Sequence, residues 1–437
     1  MSTPKHALPH WESMAILAVF VLFLLAPAIG WLSGAQTGES NLQNRSLHEW
    51  PEPTRRKLMS ARWGSAFEAW FLDHVPFRAA LLGLDHHLDM TVLGDSPVPE
   101  QVVFGDNGFH WVVERIYEER SGPFRPPVED VVAGMRRLDA LADELDVPIY
   151  FVVSPNKALL YPEYLPALNR VWYDAHIVPA MQTLADYAAE PGSPLIDVVP
   201  GLLAEKRRLL ADPEIEDPRL RYLFRPTDRH WNLETGRVQA RLIIDALPGV
   251  RWRDEVGAQH KPTYVERESE ISEVYLKVGA TEPYTEQVDN PVTAVVQSNN
   301  RVDDNKLLYT FQSGETATHS PDPRTLFVVR DSFLNDGARG PANREGGGIQ
   351  SIAPYFAHSF FAHRRSVGGA DARLEPYAKQ ADLLLFQCVQ GELRYFAAHI
   401  EEYETLIRWV AEGRRQRPPR GEVVPEVGEG GEGAGLQ

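Results

Sequence analysis

The chain has 437 residues, 43% hydrophobic and 24% charged, the balance of a folded protein of two or three domains and not of a disordered chain. A formal net charge of −17 at pH 7 argues against nucleic acid as a partner, because phosphate binding needs a concentrated basic surface. The single cysteine, Cys388, excludes an internal disulfide, and its place in the apolar run Leu383 to Val389 makes it a packing residue.

Met14 to Leu32 carries no charge, and 19 such residues span about one bilayer at a rise of about 1.5 Å each. A transmembrane helix is expected there. Lys5 before it and sparse charge just after it put the N-terminus inside and the remaining chain outside the cytoplasm. The alternative is a cleaved signal peptide with its exit at Ser33-Gly34-Ala35. From Ser46 to about Leu93 the pattern is helical, with Trp63, Phe67, Trp70 and Phe71 at helical spacing. Asp85-His86-His87 are consecutive, so they do not face one metal and read as solvated or locally paired.

Val102 to Trp111 reads as a hairpin turning at Asp106-Asn107-Gly108. A helix from Pro127 to Leu145, a strand Ile149 to Val153, a helix from Trp172 to Ala189, a strand Leu195 to Val199 and a helix to about Leu210 follow. Such alternation predicts an α/β fold with a mostly parallel sheet. After a helix from Leu233 to Leu247 the alternation breaks. Short β-like pieces at Pro262 to Val265, Val274 to Val278, Val292 to Val296 and Leu307 to Phe311 read as a β-rich antiparallel insertion. A strand at Phe327, a helix from Gly348 to Phe361, a strand at Leu383 and a helix from Tyr395 to Glu412 complete the domain. The expected divisions are 1–35 (cytoplasmic stub and anchor), 36–100 (helical region), 101–250 and 319–412 (two parts of the α/β domain), 251–318 (insertion) and 413–437 (disordered tail).

The stretch Phe224-Arg225-Pro226-Thr227-Asp228-Arg229-His230-Trp231-Asn232 holds the most pointed chemistry. In an extended segment, residues two apart share a side, so Asp228 and His230 converge. A carboxylate beside a histidine fixes its tautomer and stabilises the imidazolium, as a general base serving a hydroxyl nucleophile requires. The nucleophile candidate is Ser332, where the apolar strand Thr325 to Arg330 ends in Asp331-Ser332-Phe333. Asp331, adjacent to Ser332, reads as a turn stabiliser. The bland alternative makes His230 a helix cap and Ser332 a turn residue. A metal site is disfavoured because zinc needs three or four ligands and no third lies at a telling distance.

Asp228-x-His230-Trp231 and Asp331-Ser332-Phe333 resemble the motifs of the SGNH-hydrolase-like O-acetyltransferases of bacterial exopolysaccharides, the DHHW family that includes the AlgJ- and AlgX-type alginate O-acetyltransferases. Phe67 to Arg78, Gly105-Asp106-Asn107-Gly108-Phe109, Ser154-Pro155-Asn156-Lys157 and Tyr161-Pro162-Glu163-Tyr164-Leu165-Pro166 match further segments in order, over roughly Ser46 to Glu412. Asn156 stands where the family often has Asp, and Gln390-Gly391-Glu392 where it usually has an acidic-arginine pair.

The resemblance implies an SGNH-like three-layer α/β/α sandwich and a Ser332-His230-Asp228 triad that passes acetyl through an acetyl-serine to hydroxyls of an exported polysaccharide. No cofactor and no metal is called for. It further implies a multipass membrane O-acyltransferase partner that supplies acetyl groups at the bacterial inner membrane, with the catalytic domain in the periplasm or outside the cytoplasm. Lys157, Tyr161, Trp231, Arg330 and Asn335 are candidates for binding substrate or the oxyanion. Packing, solvent exposure or helix capping are their ordinary alternatives. A carbohydrate acetylesterase, or a non-catalytic glycan-binding subunit of an envelope assembly, are the competing readings.

Overall fold

The computed structural model describes residues 10–33, 48–52, 61–76, 78–113, 127–256, 259–269, 271, 275–276, 281–288, 308–313, 319–331, 333–334, 347–369 and 371–417. Among them a six-stranded sheet organises the chain. Five strands are parallel: β3 (Ile149–Ser154), β4 (Leu195–Ile196), β8 (Asp322–Arg330), β9 (Phe356–His363) and β10 (Leu383–Val389). The sixth, β7 (Leu308–Gln312), closes one edge antiparallel to β9, giving the order β4-β3-β10-β8-β9-β7. β3, β8 and β10 are near-continuous apolar runs, as strands covered on both faces must be. β10 runs down the middle with every residue buried, pairing Phe386 with Phe151 on one side and Val329 on the other.

Helices pack around this sheet in contacting sets. Val128–Glu144 lies against Ile400–Gln416 and Ala167–Ala188, while Leu233–Ala246 lies against Val199–Ala211 and Gly347–Ile352. Val128–Glu144 buries Val128, Val131, Val132, Met135, Leu138 and Ala142, the helical stripe expected of an element with one covered face. Phe151 and Phe386 meet Phe396 and Tyr403 from the C-terminal helices edge-on, a geometry that suits the ring quadrupoles.

The hairpin forms as β1 (Val102–Phe104) and β2 (His110–Val112), with Asn107 at φ 55° and Gly108 at φ 74° in its turn. It shares a small core with Ile271 and Leu276. His86 Nδ1 donates to Leu276 O, 2.5 Å away, and so is tied locally, not poised for a metal. β5 (Gln259–Glu268) and β6 (Thr281–Val288) make a separate antiparallel ribbon.

Five expectations are corrected. Leu308–Gln312 belongs to the main sheet and not to an insertion, because strand pairing is decided by partners distant in sequence. Residues Phe356 to Phe361, expected to be helical, form most of β9; a short apolar run does not distinguish a buried strand from a helix. Tyr275 and Leu276 lie in a helical turn, not a strand, while Val292 to Val296 lies outside the described residues. The last helix runs on to Gln416, past the expected end at Glu412. A side chain at Gly413 would meet the Lys379 carbonyl at 1.9 Å, so glycine there allows a close approach and not a helix stop. The expected transmembrane helix is met only as a helix: His10–Leu32 forms over 23 residues, but among the described residues no helix is long and apolar enough to cross a membrane.

Candidate active site

Parallel strands β3, β10 and β8 end together at Ser154, Val389 and Arg330, and the carboxyl edge of such a sheet is where ligands of open α/β folds bind. The loop 224–231 is held over this edge. A bridge pairs Phe224 with Trp231, Asn232 N donates to Leu223 O at 2.9 Å, and His110 N donates to Pro226 O at 2.9 Å. Ser269 Oγ and Ile271 N both donate to Thr227 O. Asn232 caps the following helix, its Oδ1 accepting from Thr235 N at 2.9 Å.

Asp228 and His230 do converge, by a different local geometry from the extended segment expected. Residues 226–227 turn and 229–230 bend. Asp228 Oδ1 accepts from His230 N at 2.8 Å and contacts His230 Nδ1 at 3.2 Å, a side-chain-to-backbone turn that brings carboxylate and ring together. An ionised carboxylate only accepts, so Nδ1 carries the proton and Nε2 presents its lone pair. Arg225 Nη1 stands 3.0 Å from Asp228 Oδ2, both side chains buried. Burial alone would raise the Asp228 carboxyl, but the Arg225 guanidinium and the His230 hydrogen bond outweigh it and hold the group well below the usual carboxylate range.

Ser332 and Asn335 lie outside the described residues. Their neighbours are described. Asp331 Oδ1 accepts from Phe333 N at 2.8 Å, its Oδ2 accepts from Val389 N, and Asp331 N donates to Gln387 Oε1 at 3.1 Å. Gln387 Nε2 in turn donates to Ser154 Oγ at 2.8 Å, so a buried polar chain crosses β8, β10 and β3. Asp331 is therefore a turn stabiliser, as its adjacency implied. The Phe333 ring lies 5.5 Å from the His230 ring, and Trp231 Nε1 donates to Phe333 O at 2.8 Å. Phe333, the residue after Ser332, is thus bound to the loop that contains His230.

Several candidates have other employment. Lys157 is 5% exposed, its ammonium within reach of four carbonyls, so it is a buried lysine and not a surface one, though it also lines the pocket that opens beside the pair. Tyr161 is wholly buried, and its hydroxyl accepts from Leu223 N at 2.7 Å. Burial pushes that phenol far up. Trp231, 1% exposed, offers no face for stacking. Both rings pack the core and spend their polar tips on backbone, as buried Tyr and Trp usually do. Arg330 is 1% exposed, with Nη1 donating to Asp331 O at 3.2 Å, so it supports the turn from below. Next to it the His363 imidazole is pushed down to about 3, first by burial and then by Arg330, Arg364 and Arg365.

A pocket opens beside the pair, lined by His110, Arg229, Ile271, Phe333, Val389 and Gly391 among others. His110 is the residue that the spacing of motifs did not flag. It stacks on Phe104 at 4.4 Å, and burial followed by the charge of Lys157 holds its imidazole at about 4, neutral at physiological pH. Arg225 and Gln387 were also missed as site residues. The signal for Gln387 is a lone amide in the apolar run of β10; that for Arg225 is a cation three residues before a buried carboxylate.

No family model matches the chain, and no curated protein matches it. Among solved structures it is similar to PatB1 of Bacillus cereus carrying a sulfonyl adduct, at 13% identity and TM-score 0.44 over 67% of this chain and 95% of that one. It is similar to the O-acetyltransferase domain of Pseudomonas putida AlgJ at 13% identity and TM-score 0.42, over 69% of this chain and 98% of that one. A DHHW family protein from Eubacterium siraeum gives 13% identity and TM-score 0.43 over 69% and 94% of the two chains. AlgJ and the DHHW protein are of the group whose motifs the sequence resembles.

Proposed function

We propose that the chain is an O-acetyltransferase with an SGNH-like site, in which Ser332, His230 and Asp228 move an acetyl group onto hydroxyls of an exported bacterial polysaccharide. The observation that carries this is the Asp228–His230 contact, with His230 Nδ1 on the carboxylate and Phe333, next to Ser332 in the chain, packed on its ring. In the first step Ser332 Oγ bonds to the donor's acetyl carbon while its proton passes to His230 Nε2. The donor's ester bond breaks, and the leaving oxygen takes that proton. In the second step a sugar hydroxyl loses its proton to Nε2 and attacks the acetyl-serine. Ser332 Oγ leaves and recovers the proton, so acetyl has moved and the protein is unchanged. Asp228 stays a carboxylate throughout and stabilises the imidazolium that forms twice.

The same proposal places the catalytic part on the outer side of a bacterial inner membrane, supported by the uncharged run Met14 to Leu32 near the N-terminus. A multipass membrane O-acyltransferase would deliver acetyl groups to it. Mass spectrometry after treatment with a sulfonyl fluoride tests the site: a single adduct on Ser332 that disappears in His230→Ala is expected. With an acetyl-ester donor and candidate glycans, acetylated glycan is the expected product. Free acetate alone would make the chain an esterase, and an unlabelled Ser332 in a folded protein would remove the triad.

A further inference from the structure

Lys157 opens the first turn after β3, and its ammonium meets carbonyl oxygens of His110 at 2.7 Å, Asp228 at 2.8 Å, Pro226 at 2.9 Å and Arg225 at 3.4 Å. An ammonium has three donors, so the three short contacts saturate it and the fourth is weak. Three of the four acceptors come from the loop that carries Asp228, and the last from β2. The rings of Phe109 and Trp111, with centroids 5.4 and 5.0 Å away, turn π density toward the same charge. Carbonyls of 225, 226 and 228 aimed at one point repel one another unless a cation sits there. The loop's path is therefore one that a positive charge selects.

Resting on the acyl-transfer reading above, we propose that Lys157 is a positioning residue of that site: its ammonium is an internal cation that folds the 225–228 loop so that Asp228 faces His230. It touches no reacting atom. Arginine is a poor replacement, because a planar fork of donors does not fit a cage that a compact ammonium fills. The arrangement also explains why β2, the loop and the first turn after β3 meet at one place. The same charge bears on the His110 imidazole, which burial and then Lys157 push down.

The test uses the whole chain with Lys157→Met, beside Val152→Ala, a core variant on β3 that removes only packing. Three readouts apply: hydrogen exchange of amides in 223–232, the rate of sulfonyl labelling at Ser332, and the NMR titration of His110. Expected for Lys157→Met are faster exchange confined to the loop, labelling slowed about 100-fold because a displaced group of about 1 Å costs that much, and a His110 titration moved up from about 4. Val152→Ala should leave all three near wild type. Equal loop exchange and equal labelling in the two variants would overturn the proposal and leave Lys157 a packing residue. If Lys157→Met does not fold, Lys157→Arg carries the same comparison, with slowed labelling expected and full activity as the overturning result. Should wild-type Ser332 itself never label, the acyl-transfer reading fails, while loop exchange and the His110 titration still decide whether Lys157 orders the loop.

Discussion

Two aspartates stand at the same edge of the sheet, Asp228 at 3% exposure and Asp331 at 2%, and their carboxyls are shifted in opposite directions. Asp228 has a guanidinium 3.0 Å away and a histidine on its other oxygen, and it is held ionised. Asp331 is pushed upward by burial, and the N–H groups of Phe333 and Val389, with Gln387, offset only part of that. Equal burial thus gives opposite shifts: the Arg225 guanidinium in contact with Asp228 and the His230 hydrogen bond outweigh desolvation, whereas at Asp331 the N–H groups, Gln387 and the charge of Arg364 do not. Of the two, Asp228 is the one that contacts an imidazole. The second holds Phe333 N and Val389 N at the end of β8. A loop built to hold charge and a turn built to hold shape meet through Trp231 and Phe333.

The largest effect should come from Asp228→Asn. The amide no longer enforces the proton on His230 Nδ1, and a comparable loss elsewhere in the triad logic costs about 10,000-fold in turnover. Donor turnover and Ser332 labelling should fall together by roughly that factor. A loss under about tenfold would mean that Asp228 is not the acid partner.

Next in size is Arg225→Met, which leaves Asp228 buried with His230 alone. Breaking a buried pair of this kind costs about 3 kcal/mol, measured by urea unfolding at pH 7. The sign of the pH dependence follows from linkage. A carboxyl whose folded pKa is depressed contributes stability that is complete above its unfolded value of about 3.9 and is lost as pH falls toward the folded value. The gap between wild type and Arg225→Met should therefore be flat from about pH 5 upward and shrink below about pH 4. A gap that is constant down to strong acid would mean the guanidinium contributes packing and not charge.

How much of this was legible before the structure depends on whether the cause was local. The pairing of Asp228 with His230 was, since two residues of separation bring the side chains close in almost any tight conformation; the extended geometry assumed for it was not what forms. The parallel core was legible from the apolar runs of β3, β8 and β10. β7 and β9 were not, because an isolated run such as Phe356–His363 carries no mark of the strand it will pair with. For Lys157, Tyr161 and Trp231 the choice between substrate and packing stayed open in the sequence for one reason. Each has a long apolar body and a polar tip, and only the fold decides whether that tip ends in solvent or on a buried carbonyl or amide.

The smallest predicted effect bears most directly on the contrast between the aspartates. In Asp331→Asn one oxygen still accepts from Phe333 N, but the new amide donor faces Val389 N, donor against donor. A mismatch of this kind costs about 1 to 2 kcal/mol, and the folded protein should keep far more turnover than Asp228→Asn does. The folded pKa of Asp331 is raised, so the stability it lends is complete below the unfolded value of about 3.9 and is lost as pH climbs through the folded value. Relative to Asp331→Asn, wild type should therefore gain as the solution is acidified, the reverse of its trend against Arg225→Met. Urea unfolding of both variants at several pH values between about 3 and 7 reads the two slopes side by side. Slopes of the same sign would show that the two carboxyls are shifted in the same direction, and the division between a charge-holding loop and a shape-holding turn would fall with it.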